Sequence, residues 1–150
     1  MTTGSTYSPI NEMLPTEILG LVFEQHTLLH WNAPVVDGLV CRLWRQIILH
    51  TPGAWSRISV RKVQTGPSVE ALRLWLDPAQ SSPLHIQFEH ESEELQRLVA
   101  QYHTSISYFL CSNENLQVFG DRSFPNLRCL HITSWREWSL NLVLWNVWST

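Results

Sequence analysis

Apolar residues recur at helical spacing in two stretches near the start of the chain. In the first stretch Leu14, Ile18 and Val22 stand four positions apart, which predicts a helix with one apolar face. Pro15 suits the first turn of such a helix, because the N–H group that proline lacks would have no helical partner there. The helix is therefore expected to begin near Pro15 and to be followed by a polar insert at residues 25–32.

The second stretch contains two apolar rows with a spacing of four: Val35, Leu39, Leu43 and Ile47, and Val36, Val40, Trp44 and Ile48. Asn32 is a candidate N-cap for this segment, and Gly38 is a point at which its helix can break in two. Two or three helices in roughly 40 residues form a core that is seldom stable by itself. We therefore expect this part of the chain to place apolar side chains on a partner.

After residue 55 the apolar spacing changes from that of helices to that of strands. Three alternating runs predict strands: Ile58 and Val60; Leu84, Ile86 and Phe88; and Ile106, Tyr108 and Leu110. Ser68 and Ser92 are candidate N-caps of two intervening helices. Ile86, Tyr108 and Leu130 are separated by 22 positions each, and one leucine-rich repeat spans about 20–29 residues. Strands joined in this way are expected to lie parallel in one sheet.

The last sixteen residues are rich in tryptophan. Trp135, Trp138 and Trp145 fall at helical steps, whereas Leu142 and Leu144 alternate as in a strand, so both structures remain open. Two interpretations of the tryptophans also remain. They are packing residues of a further repeat in a chain that stops early, or they line a binding surface.

The first third of the chain also contains a recognisable motif. Leu-Pro-x-Glu-Ile-Leu begins at Leu14, Val-Cys-Arg-x-Trp-Arg begins at Val40, and Pro52 and Trp55 follow. In this order and spacing the motif resembles an F-box, the helical module through which F-box proteins bind the Skp adaptor of a cullin-based ubiquitin ligase. The resemblance indicates ten candidate adaptor-binding residues and does not show which of them face the adaptor and which face inward. They are Leu14, Pro15, Ile18, Leu19, Val22, Phe23, Val40, Cys41, Trp44 and Ile48.

The rest of the chain resembles the degenerate leucine-rich repeats that follow the F-box in fungal F-box proteins. Leu127-x-x-Leu130-x-Ile132 has the spacing of a leucine-rich-repeat strand. We expect an α+β protein with a flexible tail at residues 1–10, a three-helix F-box at 11–56, and an incomplete, truncated α/β solenoid with a small parallel sheet at 57–150.

The resemblance implies a substrate-receptor subunit of a Skp-cullin-F-box ubiquitin ligase. Such a subunit binds the Skp adaptor, and through it a cullin, with its F-box, and binds a target protein with its repeats. It is not itself an enzyme and needs no cofactor. Two alternatives stay open. The chain is a scaffold or interaction module without a ligase, or it is a truncated, nonfunctional relative.

Composition narrows the choice of partners. The net charge is −3 and the basic residues are dispersed, the densest group being Arg57, Arg61 and Lys62, so we expect no binding to nucleic acid. The longest apolar runs are far shorter than the ~20 residues of a membrane span, so we expect no membrane insertion. Three widely spaced cysteines without a Cys-x-x-Cys pair favour reduced thiols in the cytoplasm or nucleus.

The residues that could carry metal chemistry are few. His26 and His30 stand four apart, but no glutamate lies beside them in the pattern of a zinc protease, and a solvated or capping role is favoured. Cys129 and His131 share a strand face and could form three ligands with the distant Cys111, but core cysteines and a surface histidine are favoured. No nucleophile elbow or phosphate-binding loop is present. We therefore expect neither a metal site nor catalysis.

Overall fold

The structure is a computed structural model that describes residues 13–61, 67–79 and 82–133, together with the backbone of residues 144–145. It combines helices and strands in an α+β arrangement, as predicted. The helices are α1 (Thr16–Leu29), α2 (Ala33–Gly38), α3 (Arg42–Leu49), α4 (Val69–Leu76), α5 (Glu93–Gln101) and α6 (Asn113–Phe119), with a 3-10 turn at Pro52–Trp55. The strands are β1 (Arg57–Arg61), β2 (Leu84–Glu89), β3 (Ile106–Ser112), β4 (Cys129–Thr133) and β5 (Leu144–Trp145).

Helix α1 begins where the proline predicts. The carbonyl of Pro15 accepts hydrogen bonds from the N–H groups of Ile18 and Leu19, both at 3.1 Å, and so closes the first turn. The helix continues to Leu29, so the predicted polar insert is wrong over residues 25–29, which are helical. It continues because Thr27 lies on the buried row and its hydroxyl is hydrogen-bonded inside the protein.

The predicted break at Gly38 is confirmed. Helix α2 ends at this residue, and α3 starts after Cys41, whose sulfur accepts a hydrogen bond from the N–H of Trp44 at 3.5 Å. Arg45 spans the break, since its Nε donates to the carbonyl of Gly38 at 3.0 Å. The break turns the apolar rows of the second stretch into two separate short faces.

The strands form one sheet in the order β1-β2-β3-β4-β5. Strands β1 to β4 are parallel, as the 22-residue step predicts, and β5 pairs antiparallel with β4. Within the described residues, helices α4, α5 and α6 stand between successive parallel strands in the chain. The alternation of strand and helix therefore continues through three connections.

The third predicted strand is present as β3, and its pairing with β2 sets which of its side chains are buried. Phe109 and Cys111 are buried, whereas Tyr108 and Leu110 lie on the half-exposed face of the sheet. The cause is an irregularity in the pairing of β2 with β3, where the register shifts between Leu84 and His85. Across from Ile86 and Leu130 the sheet therefore presents Phe109 in place of Tyr108.

Serine side chains cap the helices that connect the strands. Ser68 accepts from the N–H of Ala71 at 3.1 Å and Ser92 from that of Leu95 at 3.5 Å, which confirms both predicted caps. Helix α6 was not predicted. It is capped by Ser112 and packs its Phe119 edge-on against the rings of Phe88 and Phe109.

Two predicted segments lie outside the described residues. These are the flexible tail at 1–10 and most of the tryptophan-rich stretch, of which the structure describes only the strand Leu144–Trp145. Among the helices that are described, none has both the length and the apolar character needed to cross a membrane.

The N-terminal helices and the sheet share one apolar core. Phe23 and Ile48 of the helices belong to the same buried cluster as Ile86 and Phe109 of the strands. At the junction three indoles meet. Trp75 of α4 lies 5.9 Å from Trp31 and 5.2 Å from Trp55, between ring centroids. The helices are thus fixed to the sheet by aromatic packing.

Candidate docking site

The segment from Thr16 to Trp55, called here the helical unit, has a complete interior. Phe23 and Ile48 are each 1% exposed, and Leu19 is buried beside them. The indole of Trp44 packs on Phe23 with 5.0 Å between ring centroids. These side chains hold α1 and α3 together, so the unit has no unfilled core of its own.

Hydrogen bonds fix the helices of the unit to the 3-10 turn. The hydroxyl of Thr27 lies 2.9 Å from the carbonyl oxygen of Ala54, to which it donates. The indole N–H of Trp55 donates to the carbonyl of Ile48 at 2.8 Å. Because these polar groups are buried and satisfied, the positions of the helices are well specified.

A histidine–aspartate contact ties α1 to α2. His26 Nδ1 lies 2.8 Å from the Asp37 carboxylate, which is buried. His30 stacks edge-on against His26 with 5.4 Å between ring centroids. The pair therefore joins two helices of the unit, which is a structural role.

Five of the ten predicted adaptor-binding residues lie on the surface. They are Leu14, Pro15, Ile18, Val22 and Val40. Val40 is 61% exposed, and Ile18 and Val22 are 43% and 49% exposed on one face of α1. A side chain of this kind gains free energy when a partner removes it from water.

The other five predicted residues are buried or half-buried. Leu19, Phe23 and Ile48 are buried in the unit, and Cys41 and Trp44 are half-buried. The three buried residues belong to the apolar core of the chain and pack beneath its surface. Spacing alone does not distinguish the two rows, since both rows of α1 are apolar.

Further apolar residues of the unit are exposed that the motif did not single out. They are Leu21, Leu28, Leu29, Val35, Val36, Leu39 and Leu49. Leu39 is 72% exposed and lies just after the break at Gly38. The predicted helix break at Gly38 is the sequence signal that could have indicated this exposure, because residues at a helix end are poorly covered by their own helix.

A shallow groove of about 520 Å³ runs between α1 and α3. Leu21 and Glu24 line one side, and Leu43 and Gln46 line the other. Gly20 allows the close approach at its floor, since a Cβ there would lie 3.2 Å from the Thr51 hydroxyl oxygen. The surface of the unit is thus a ridge of apolar side chains beside a groove with polar edges.

The cysteine and histidine candidates for a metal site do not converge. Cys111 faces the buried side of the sheet, and burial raises the pKa of its thiol to about 12. Cys129 pairs with Tyr108 and lies on the opposite face. Within the part of the chain that the structure describes, no three histidine, cysteine, aspartate or glutamate side chains are grouped to hold a metal ion.

Comparison with known proteins adds no relative: no protein-family model, no curated protein and no solved structure matches this chain.

Proposed function

We propose that the helical unit is an F-box that binds a Skp-type adaptor, and that the chain is a substrate-receptor subunit of a cullin-based ubiquitin ligase. The observation that carries the proposal is the apolar surface of a unit whose interior is already filled. Large exposed apolar patches on a folded chain mark interaction sites. The F-box resemblance of Leu14 to Trp55 supplies the identity of the partner.

The arrangement of α1 supports this proposal. Its buried row, Leu19, Phe23 and Thr27, points into the unit, while Ile18 and Val22 lie on another side of the same helix. A helix that is apolar on nearly all sides is normally covered on all sides. The chain covers one side of α1, and an adaptor would cover the other.

The sheet region would hold the target protein. Its repeating strand and helix, and the parallel order of β1 to β4, agree with a leucine-rich-repeat-like region. In this role the chain forms no bond. It raises the local concentration of a target near the ubiquitin-carrying enzyme.

The test is direct binding of purified chain to a purified Skp adaptor, measured by calorimetry, followed by addition of the cullin N-terminal domain. We expect a one-to-one complex with the adaptor that also takes up the cullin. Binding of the adaptor without uptake of the cullin would instead indicate a scaffold that has no ligase. Absence of adaptor binding by a chain that is folded, as judged by circular dichroism, would refute the proposal.

A further inference from the structure

A pocket of about 380 Å³ opens on the half-exposed face of the sheet. Three strands form its floor, and Trp31 of the helical unit forms one wall. The lining residues are Trp31, Arg57, Ile58, Ser59, His85, Gln87, Tyr108 and Leu110. The pocket thus lies where the helical unit meets the sheet, away from the exposed face of α1 that carries Ile18 and Val22.

The pairing of the strands aligns three functional side chains across the pocket. Arg57 pairs with His85, and His85 pairs with Tyr108. The rings of His85 and Tyr108 are stacked, with 5.7 Å between centroids and an angle of 14°. A guanidinium group therefore stands beside a platform of two stacked rings.

Among the residues that the structure describes, the pocket lining contains no acidic side chain, although Gln87 of the lining donates to the Glu89 carboxylate at 2.9 Å. Arg57 is the only lining residue that is charged at neutral pH apart from the titratable His85. Its Nη1 donates to the carbonyl of Leu28 at 3.2 Å, which holds the guanidinium in place. Its Nε is buried, and within the described part of the chain it has no hydrogen-bond partner. Leaving such a donor without an acceptor is costly.

The pKa shifts of His85 and Tyr108 agree with a pocket whose cationic group is Arg57. Burial, and then the charge of Arg57, lower the pKa of His85. Burial raises the pKa of Tyr108. Both shifts favour the neutral form of the ring, so the guanidinium of Arg57 is the cationic group of the described lining.

We propose that this pocket binds the C-terminal carboxylate of a peptide whose last side chain is aromatic or large and aliphatic. Arg57 pairs with the carboxylate, and the side chain lies against Trp31, Tyr108 and Leu110. A carboxylate fits better than a phosphate, because one guanidinium with an N–H already engaged faces walls that are largely apolar.

The size of the pocket favours a chain end. Binding pockets for small ligands range from about 300 to 1,000 Å³, so this pocket is at the small end and has room for about one residue. A C-terminal residue supplies both the carboxylate and the side chain within that space. Resting on the proposed function, this inference makes the pocket the place where the end of a target protein is held.

The experiment uses three fluorescent hexapeptides and measures binding by anisotropy. The first is a Gly-Ser peptide that ends in phenylalanine with a free carboxylate, the second is the same peptide with a C-terminal amide, and the third has an internal Asp-Phe pair and an amidated end. We expect the first to bind at least 10-fold more tightly than the other two, because the amide lacks a charged acceptor and the internal Asp-Phe pair does not present a terminal carboxylate.

Two variants locate the interaction. Arg57→Gln should reduce binding of the free-acid peptide at least 10-fold, whereas Arg97→Gln, whose side chain is exposed on α5 and lies outside the lining, should leave it within about twofold. In an NMR titration of the wild-type protein, the pKa of His85 should rise when the free-acid peptide binds, because a nearby anion favours the imidazolium form. That shift is a readout that loss of folding in a variant cannot imitate.

Any of four results would overturn the inference: no binding of the free-acid peptide, equal binding of its amide, equal binding of the internal Asp-Phe peptide, or equal losses in the two arginine variants. Adaptor binding is measured on the same Arg57→Gln protein and should equal that of wild type. Failure of peptide binding with adaptor binding intact overturns this inference and leaves the proposed function in place. If the wild-type chain does not bind the adaptor, the proposed function is refuted, whatever the result with the peptides.

Discussion

Replacing Ile18 and Val22 by serine should weaken adaptor binding and leave the fold intact. The two side chains lie one turn apart on the same face of α1 and are 43% and 49% exposed. Full burial of such a side chain contributes about 1.5–3 kcal/mol, so the exposed half can contribute about 1 kcal/mol for each residue when a partner covers it. The double variant should therefore lose about 2 kcal/mol, or roughly 30-fold in Kd.

The fold should tolerate this change. Serine has a helix propensity close to those of isoleucine and valine, and neither side chain belongs to the buried cluster. We expect the thermal midpoint to change by no more than about 2–4 °C, the shift that 1 kcal/mol produces in a domain of this size. Calorimetry with the adaptor and thermal denaturation of the free chain give the two quantities independently.

The matched control is Leu74→Ser with Val118→Ser. Leu74 on α4 is 73% exposed, and Val118 on α6 is 48% exposed, so the control removes at least as much exposed apolar surface from the sheet region. Its Kd for the adaptor should stay within about twofold of wild type, since surface changes remote from a contact usually cost less than about 0.5 kcal/mol. Equal losses in the two double variants, or none in either, would refute the assignment of the docking face to α1.

Three further predictions concern the interior. Thr27→Val keeps the side-chain shape but leaves the carbonyl of Ala54 without this donor, and should lower the free energy of unfolding by about 1–3 kcal/mol in urea titration. Asn115→Leu should cost a similar amount, because the buried Gln96 amide that donates to it at 2.7 Å loses its acceptor; adding Gln96→Leu should restore part of the loss, and strictly additive losses would contradict this. Since burial raises the pKa of Cys111 to about 12, its thiol should resist iodoacetamide at pH 8 until the chain is unfolded, as followed by peptide mass spectrometry.

Local signals predicted the elements of this fold well. Pro15, Gly38, Ser68 and Ser92 each act over one helical turn, and each lies at the helix end that its chemistry favours. The spacing of the strands predicted their parallel order, although the residues that pair, Ile86 with Phe109 and Phe109 with Leu130, are 23 and 21 positions apart. Helix ends and the spacing of strands can therefore be predicted from short stretches of sequence.

The register of the sheet depends on pairing between distant segments. Tyr108 follows Ile86 by 22 positions, but the register shift at Leu84 and His85 places Phe109 opposite Ile86. The alternation within β3 cannot show this, because Tyr108, Phe109, Leu110 and Cys111 are all apolar or aromatic. Helix α6 was missed although Ser112 and Glu114 give it a capping residue and an acidic first turn.

The same ambiguity affects the docking site. In α1 the row of Leu19 and Phe23 and the row of Ile18 and Val22 are equally apolar, and the sequence does not show which row faces the interior. The structure assigns the first row to the core and leaves the second exposed. Contact between α1, α3 and the 3-10 turn decides which row of α1 is buried. That contact joins residues far apart in the chain.

The exposed row of α1, Ile18 and Val22, lies on a unit whose interior is already packed. Single apolar side chains are common on protein surfaces, but a contiguous apolar patch is typical of a surface that is used or of a core that is incomplete. Phe23 and Ile48 are fully buried, and the Thr27 and Trp55 hydrogen bonds are made, so the interior of the helical unit is complete without Ile18 and Val22. The junction of Trp31, Trp55 and Trp75 then fixes this unit against the sheet. In the proposed receptor, the adaptor and the target bind to the same body, so a partner bound at one site is presented at a defined position to the partner bound at the other.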